Sequence, residues 1–534
     1  MSNQKKQSFL QGVLTLMFSQ ILIKALGLFY KLYLTNKEGF GDAGNAIYSS
    51  GFQIYALLLT ISSVGVPNAV SKLISEKISI GDERNAGRIF RVALVLFSFL
   101  GFICSVFLFC GAKVIATNIL QIPEAELTLQ VLSPSIFLVS VMSVFRGYFN
   151  ARENMKPTAN SQIIEQLSKT IFTIIIVEGI FFCIDAKNKT ELMAAGANIA
   201  TTIATFISYV YLVRYFKNNT YNIKRIGCSF KTEKIKNIVK NIIAVCMPIT
   251  ITAVLGTVNK NIDSITVVRG LKNFLSAEEA KAQYGILSGK VDTLITLPMS
   301  FNIALATALV PAISAAKAKN NMKSVENKIE LSLLLTILIG LPATVGMMIF
   351  ASPILNLLFP NASSGALVFR VSSISIIFVL INQTINGILQ GTGKQIDTVF
   401  SLIIGLIFKV IINLCLVPID SNKFIFGGTV GAALGTVVCY AISVIINIFI
   451  LKKHIHIKLN KIKIFVKPII ATLIMSITSY IYFIMLKRII FEKLATILSL
   501  LFAVAVYILS IVILKGFNKI EISNILKLNK NENN

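Results

Sequence analysis

Charged side chains sit inside stretches that are otherwise apolar, and their spacing defines the available chemistry. Lys24 and Lys31 lie in the first stretch. Seven residues make nearly two helical turns, so both ammonium groups point to one face, about 10 Å apart along the axis. Lys260 and Asp263 fall one turn apart in a later stretch, beside Asn259 and Asn261, and Lys290 and Asp292 open the next. Arg146 ends an earlier stretch. Glu165 and Lys169 form an i,i+4 pair in the favourable order, Glu178 lies near the outer end of that stretch, and Lys409 has no acid close by in sequence. A charge at mid-bilayer costs about 2.5–3.5 kcal/mol on insertion scales, so each needs a partner, a wet cavity or a route to the interface. Two lysines, Lys24 and Lys260, facing a shared hydrated space would attract an anion. The competing arrangements are structural. Lys31 can snorkel to the headgroups, Glu165–Lys169 can be a structural pair, Arg146 can anchor at the interface, and Lys260 can pair with Asp263 or another acid.

The elements that carry these charges follow from composition. The chain has 534 residues, 55% hydrophobic and only 14% charged, with a mean hydropathy of +0.76. A soluble protein carries roughly 25% charged residues, which excludes a soluble multi-domain enzyme. Apolar stretches long enough to cross a ~30 Å hydrocarbon core recur along the chain. They fall at 9–34, 46–66, 89–112, 127–150, 158–183, 192–216, 238–268, 285–312, 329–351, 366–389, 396–418, 427–451, 466–486 and 490–514. The pattern predicts an all-α polytopic membrane protein of about 14 transmembrane helices. Net charge is +27. The loops on the N-terminal side hold about 30 Lys and Arg against about 10 on the other, which predicts both termini in the cytoplasm. No basic stripe interleaved with aromatics points to nucleic acid, and Trp is absent. The start reads as an uncleaved first helix without a lipidation motif. The segment Lys224–Lys240 is predicted to include an amphipathic surface helix.

The long polar loop divides the chain into two similar halves. Arg146–Asn150 aligns with Asn386–Gln390, and Ser161, Ile163, Ile164, Lys169 and Ile171 align with Ser401, Ile403, Ile404, Lys409 and Ile411. Val66-Pro67 matches Val310-Pro311, and Lys24 matches Lys260. Repeats with an even number of helices share one orientation, so their axis runs along the membrane normal. The predicted boundaries are 1–223 for an N-terminal six-helix lobe, 224–455 for a second, and 456–534 for two extra helices and a tail.

Other chemistries find little support. The seven cysteines form no C-x-x-C pair and read as buried apolar thiols. His454 and His456 lack nearby acidic or thiol ligands, so no metal site is expected. There is no P-loop, and no acid pair or large outer loop suits a polymerase or glycosyltransferase.

Arg146 through Thr158, followed by Ser161-Gln162-Ile163-Ile164-Glu165-Gln166, closely resembles a stretch of polysaccharide-biosynthesis export proteins, the group that includes stage V sporulation protein B-like proteins and MurJ-type lipid II flippases. Asp292–Ser314, with Leu297-Pro298 and Val310-Pro311, is similar to that family's eighth-helix region, and Gln390–Lys394 to its loop after the tenth helix. The resemblance covers essentially the whole chain. It implies the multidrug/oligosaccharidyl-lipid/polysaccharide exporter superfamily: two six-helix lobes in a V shape around a cationic cavity, plus two C-terminal helices forming a lipid-facing groove. It also implies that basic residues of the first and eighth helices contact a substrate diphosphate. Lys24 and Lys31 are the first-helix candidates. Thr293 stands at the position of the usual eighth-helix arginine, with Lys290 one turn earlier as its substitute. Asn45 stands where an acidic residue is usual near the start of helix two, with Asp42 nearby.

The reading that follows is a non-enzymatic flippase of the bacterial plasma membrane. It would carry an undecaprenyl-diphosphate-linked saccharide, lipid II first among them, outward by alternating access, with membrane lipids and cell-wall synthesis proteins as partners. Lys24, Lys31, Lys260 and Lys290 are the expected substrate ligands, and Asp263, Asp292, Glu165 and Lys169 the expected charge partners. No cofactor is expected, and transport would couple to the membrane potential or a monovalent cation. The alternatives are export of a spore-cortex, teichoic-acid or capsule precursor, a cation-coupled drug exporter using Asp263 and Asp292, and a scaffold for envelope assembly.

Overall fold

In hydrocarbon every backbone N–H and C=O must be satisfied within the chain, which leaves helices for stretches of this length. The computed structural model describes residues 9–152, 154–184, 188–219, 232–318, 321–392, 395–454, 460 and 462–514, and contains helices and no strand among them. In chain order the helices are α1 (Phe9–Asn36), α2 (Gly41–Leu59), α3 (Val66–Ser79), α4 (Glu83–Val114), α5 (Ala125–Ala151), α6 (Lys156–Cys183), α7 (Lys189–Asn219), α8 (Ile235–Leu271), α9 (Ala277–Gly285), α10 (Asp292–Ala318), α11 (Met322–Ile349), α12 (Ala351–Leu358), α13 (Ala366–Gly391), α14 (Gln395–Leu416), α15 (Gly428–His454), α16 (Lys467–Lys487) and α17 (Glu492–Ile513). π turns at Thr60–Val64 and Ile286–Val291 join α2 to α3 and α9 to α10, so each pair runs as one continuous rod.

Each of the fourteen expected stretches falls on a helix. Twelve helices among the described residues are long and apolar enough to cross a membrane. The rods containing α1 and α10 are not among those twelve, although α1 has 28 residues and α10 has 27. Much of the Lys224–Lys240 segment lies outside the described residues, as do His456 and Cys228. Its end, from Ile235, is the first part of α8.

Local signals set the helix ends. Asp82 caps α4 by accepting the Asn85 N–H at 3.0 Å. Ser276 and Glu279 form a reciprocal capping box on α9. Proline occupies the first turn of α3, α6 and α16, where its missing N–H leaves no bond unmade.

By internal contacts the chain forms two units. Met1–Thr293 with Asn413–Thr429 is one, and Leu294–Ile412 with Val430–Asn534 is the other. The core of the first is built on α3, α4 and α5, where Val70, Ile74, Ile89, Ala93, Met142 and Phe149 are buried together. Gly147 permits the close crossing there, because a Cβ would stand 2.8 Å from Val70 Cβ and 3.0 Å from Pro67 O. The core of the second includes Ile313, Ile329, Leu334, Ile385, Leu389 and Met475. It repeats the device: a Cβ on Gly391 would stand 3.0 Å from both Val310 O and Ile313 Cβ. The Val-Pro segments aligned in the sequence therefore each lie against a glycine of a later helix in their own unit. The second unit also buries a polar knot, in which Asn302 donates to Leu380 O at 2.9 Å and Thr336 Oγ1 lies 2.6 Å from Thr384 Oγ1.

Candidate functional site

The charged residues of the first unit gather where α1, α2, α6, α8 and the π turn before α10 face one another. Two of the expected lysines have carboxylate partners. Lys260 Nζ lies 2.6 Å from Asp292 Oδ2, and Lys290 Nζ lies 2.9 Å from Asp42 Oδ2. Lys290 is fully buried. Its partner is brought in by backbone approach. Gly285 and Gly289, one turn apart on the rod carrying Lys290, lie against α2. A Cβ on Gly285 would overlap Asp42 O at 1.8 Å, and one on Gly289 would stand 2.6 Å from Asn45 Cγ. Small residues four apart are how membrane helices bring backbones into contact, and here they place the ammonium beside the carboxylate. Lys290 also lies within the π turn, a local widening that frequently marks functional positions.

Three other cations have no carboxylate within ion-pair distance among the described residues: Lys24, Lys31 and Lys169. Lys24 is exposed, and the fields of Lys260, Asp292 and Tyr30 reach it. Lys31 is only 5% exposed, with its Nζ 4.6 Å from the centre of the Tyr48 ring. Lys169 is 8% exposed and caged by aromatics, 4.9 Å from Phe52, 5.0 Å from Tyr30 and 5.9 Å from Tyr48. The Tyr30 and Tyr48 hydroxyls are 3.3 Å apart. Lys31 and Lys169 lie within each other's field, as do Lys31 and the carboxylates of Asp42 and Asp292. A cation over an aromatic face gains about 0.5–2 kcal/mol. An ammonium at mid-membrane costs about 2.5–3.5 kcal/mol. The rings therefore offset only part of that cost, and mutual repulsion adds to it. The arrangement is short of negative charge, and what it can do chemically is hold an anion.

Several expected pairings differ. Glu165 does not pair with Lys169. It takes Arg146 Nη2 at 2.9 Å, and the same guanidinium donates from Nε to Ser161 Oγ at 3.1 Å. A planar guanidinium reaching across from α5 satisfies the carboxylate better than an ammonium on its own helix, whose stem is drawn into the aromatic cage. Arg146 thus braces α5 against α6. Lys31 is buried and does not snorkel. Lys260 pairs with Asp292 of α10 instead of Asp263, which accepts from Asn413 Nδ2 at 3.0 Å. Asp42 supplies the acid expected near the start of the second helix. Asn45 donates to Thr35 Oγ1 at 2.9 Å, and its Oδ1 is buried without a hydrogen-bond partner. Near the C-terminal end of α6, Glu178 takes Lys37 Nζ at 2.5 Å and the Tyr33 hydroxyl at 2.5 Å. Lys409 lies in the second unit, buried and interacting there. The sequence reading passed over the aromatic cage and the Gly285–Gly289 contact. A G-x-x-x-G spacing directly before Lys290 was the available signal for the second. The cage draws its rings from two helices and had none.

Relatives give this arrangement its setting. Residues 9–317 match the family described as polysaccharide biosynthesis protein, and residues 285–415 match MatE. Stage V sporulation protein B of Bacillus subtilis (strain 168) is 29% identical over 369 residues, covering 68% of this chain and 69% of the relative. The lipid II flippase MurJ of the same organism is 25% identical over 485 residues, covering 88% and 86%. Among solved structures, an inward-closed lipid II flippase MurJ superposes with a TM-score of 0.69 at 17% identity, covering 93% of this chain and 98% of that one. An inward-facing multidrug transporter of the MATE family gives 0.65 at 14%, covering 83% and 98%. At those identities the structural likeness speaks for the fold. With a polytopic helical fold and a family match over more than half its length, the chain belongs to the polysaccharide biosynthesis protein family of the multidrug/oligosaccharidyl-lipid/polysaccharide exporter superfamily of membrane transporters.

Proposed function

We propose that this protein is a flippase that moves an undecaprenyl-diphosphate-linked saccharide across the bacterial plasma membrane, with the peptidoglycan precursor lipid II as the first candidate substrate. The observation that carries the reading is the pair of α1 lysines, Lys24 and Lys31, which have no carboxylate within ion-pair distance among the described residues and lie beside the Lys260–Asp292 and Lys290–Asp42 pairs. A diphosphate supplies the missing negative charge. Lys24 and Lys31 make the first electrostatic contact, and phosphate oxygens then compete with Asp292 and Asp42 for Lys260 and Lys290. The polyprenyl tail stays in the bilayer while the headgroup crosses by alternating access. Charge-assisted contacts to phosphate are of the strong class, which suits recognition by lysines acting as point charges.

The membrane potential supplies a direction. With the N-terminus inside, two negative charges leaving a negative interior gain about 4.6 kcal/mol per 100 mV across the full field. The test is depletion in cells, followed by identification of the undecaprenyl-linked intermediate that accumulates on the cytoplasmic leaflet. Accumulation of lipid II supports the reading. Accumulation of a different diphosphate-linked saccharide keeps the flippase and changes the cargo, and no accumulation of any such lipid refutes it. Drug export is the weaker reading, because the acids it needs, Asp263 and Asp292, are already engaged by Asn413 and Lys260.

A further inference from the structure

We infer that Lys169 is a direct anion ligand which, with Lys31, forms a two-ammonium grip for a phosphate oxyanion in the first unit. The inference rests on the flippase reading for its lipid-borne cargo, but not for the anion itself.

Four observations converge. Lys169 is more than nine-tenths buried and has no carboxylate partner among the described residues. The acid one turn before it on the same helix, Glu165, is engaged by Arg146 and Ser161 lies on that guanidinium too, so the local charge is already spoken for. A second buried ammonium, that of Lys31, lies within its field and shares the Tyr48 ring. The walls are Tyr30, Tyr48 and Phe52, which offer rings and two hydroxyls and no negative charge. The other charged groups near this pocket are Asp42 and Asp292 on the side of Lys31, Glu165 on the side of Tyr55, and Lys24 on the side of Tyr30. The first two hold Lys290 and Lys260, and the third holds Arg146.

Packing alone does not account for two buried like charges around the one Tyr48 ring, since a methionine or leucine would fill the same space without the electrostatic penalty. An oxyanion bridging both ammonium groups removes the repulsion and receives a donor from each. The hydroxyls of Tyr30 and Tyr48 lie beside it as further donors. Lys169 thereby changes from a helix-surface partner of Glu165, as its spacing suggested, into a second point of selection for a multiply charged headgroup.

The same oxyanion can reach the grip from a free anion or from a lipid, and the experiment separates them. The full-length protein in detergent micelles is titrated with inorganic pyrophosphate, and then with undecaprenyl diphosphate in mixed micelles, as wild type and as Lys169→Gln, Lys169→Arg and Phe52→Leu. The expected result is pyrophosphate binding by the wild type, weakened about 10- to 100-fold in Lys169→Gln. Lys169→Arg should stay within about threefold of the wild type, and Phe52→Leu should keep most of the binding. The thermal midpoint should be unchanged or raised in Lys169→Gln, because a buried repulsion is removed. Equal pyrophosphate affinity in the wild type and Lys169→Gln overturns the inference, as does a loss that follows a fall in thermal midpoint in all three variants alike. If Lys169→Gln loses pyrophosphate binding but the wild type moves no lipid-linked saccharide in vesicles, the grip stands and the flippase reading falls. If the lipid diphosphate binds wild type and Lys169→Gln equally while pyrophosphate discriminates, the grip takes free anions only.

Discussion

Removing one member of the Asp42–Lys290 pair should be far more damaging than removing both. Lys290 is fully buried and Asp42 nearly so, with 2.9 Å between the charged atoms. At an effective dielectric constant of about 20, that separation corresponds to roughly 6 kcal/mol of attraction, set against a desolvation penalty of several kcal/mol per ion. Asp42→Asn strands an ammonium with little access to water, and Lys290→Met strands a carboxylate. Each should cost about 3–5 kcal/mol. The double variant buries no charge at the site and should return to within about 1 kcal/mol of the wild type. The coupling energy of the cycle is then at least about 5 kcal/mol. The assay is reversible denaturant unfolding of the purified protein in mixed micelles, followed by helical circular dichroism, with flipping of a labelled lipid measured in parallel. Flipping tests the proposed second role of Lys290: if its ammonium receives the diphosphate, the double variant should be stable yet slow. Additive single effects, with coupling below about 0.5 kcal/mol, would refute the claim that this pair is a mutually dependent buried ion pair. A stable double variant that flips at the wild-type rate would remove Lys290 from the substrate site.

Other consequences are open to simpler tests. Gly285→Ala puts a methyl group 1.8 Å from Asp42 O, backbone that cannot swing aside, so it should lower the thermal midpoint and flipping together. Gly256→Ala on α8 meets open space and serves as the neutral control. Lys24→Gln and Lys31→Gln should each slow flipping about 10-fold or more with little loss of stability, read as initial rates in proteoliposomes; unchanged rates in both would remove α1 from the site. Flipping driven by a potential, negative inside, should exceed flipping at zero potential, and equal rates would exclude an electrophoretic contribution. Arg146→Met should destabilise by about 1–3 kcal/mol by leaving Glu165 without its guanidinium, and Glu165→Gln in the same chain should recover most of it.

Helix positions were largely legible from sequence because the signal is one-dimensional: an apolar run of the right length must be helical wherever it crosses hydrocarbon. The candidate site was legible in kind and not in pairing. Lys24, Lys31, Lys260 and Lys290 could be singled out because a charge in an apolar run is conspicuous. Their partners depend on how helices approach across the unit, which helical spacing does not encode. Glu165 is one turn from Lys169 in sequence yet answers to Arg146 on another helix. Asp42 is 248 residues from Lys290 and meets it only because two glycines let the backbones touch. The walls of Tyr30, Tyr48 and Phe52 around Lys169 carry no such signal, because a ring reveals its target only when the opposite helix is in place.

The uncompensated ammonium groups also bear on handling the protein in solution. Electroneutrality within a low-dielectric region is met by whatever small anions the medium offers, and multivalent ones hold more tightly than chloride. Phosphate and sulfate buffers are then not inert backgrounds but competitors, and two salts of equal ionic strength will give different apparent affinities for the same cargo. Anion identity, more than total salt, is the variable to fix when preparations are compared.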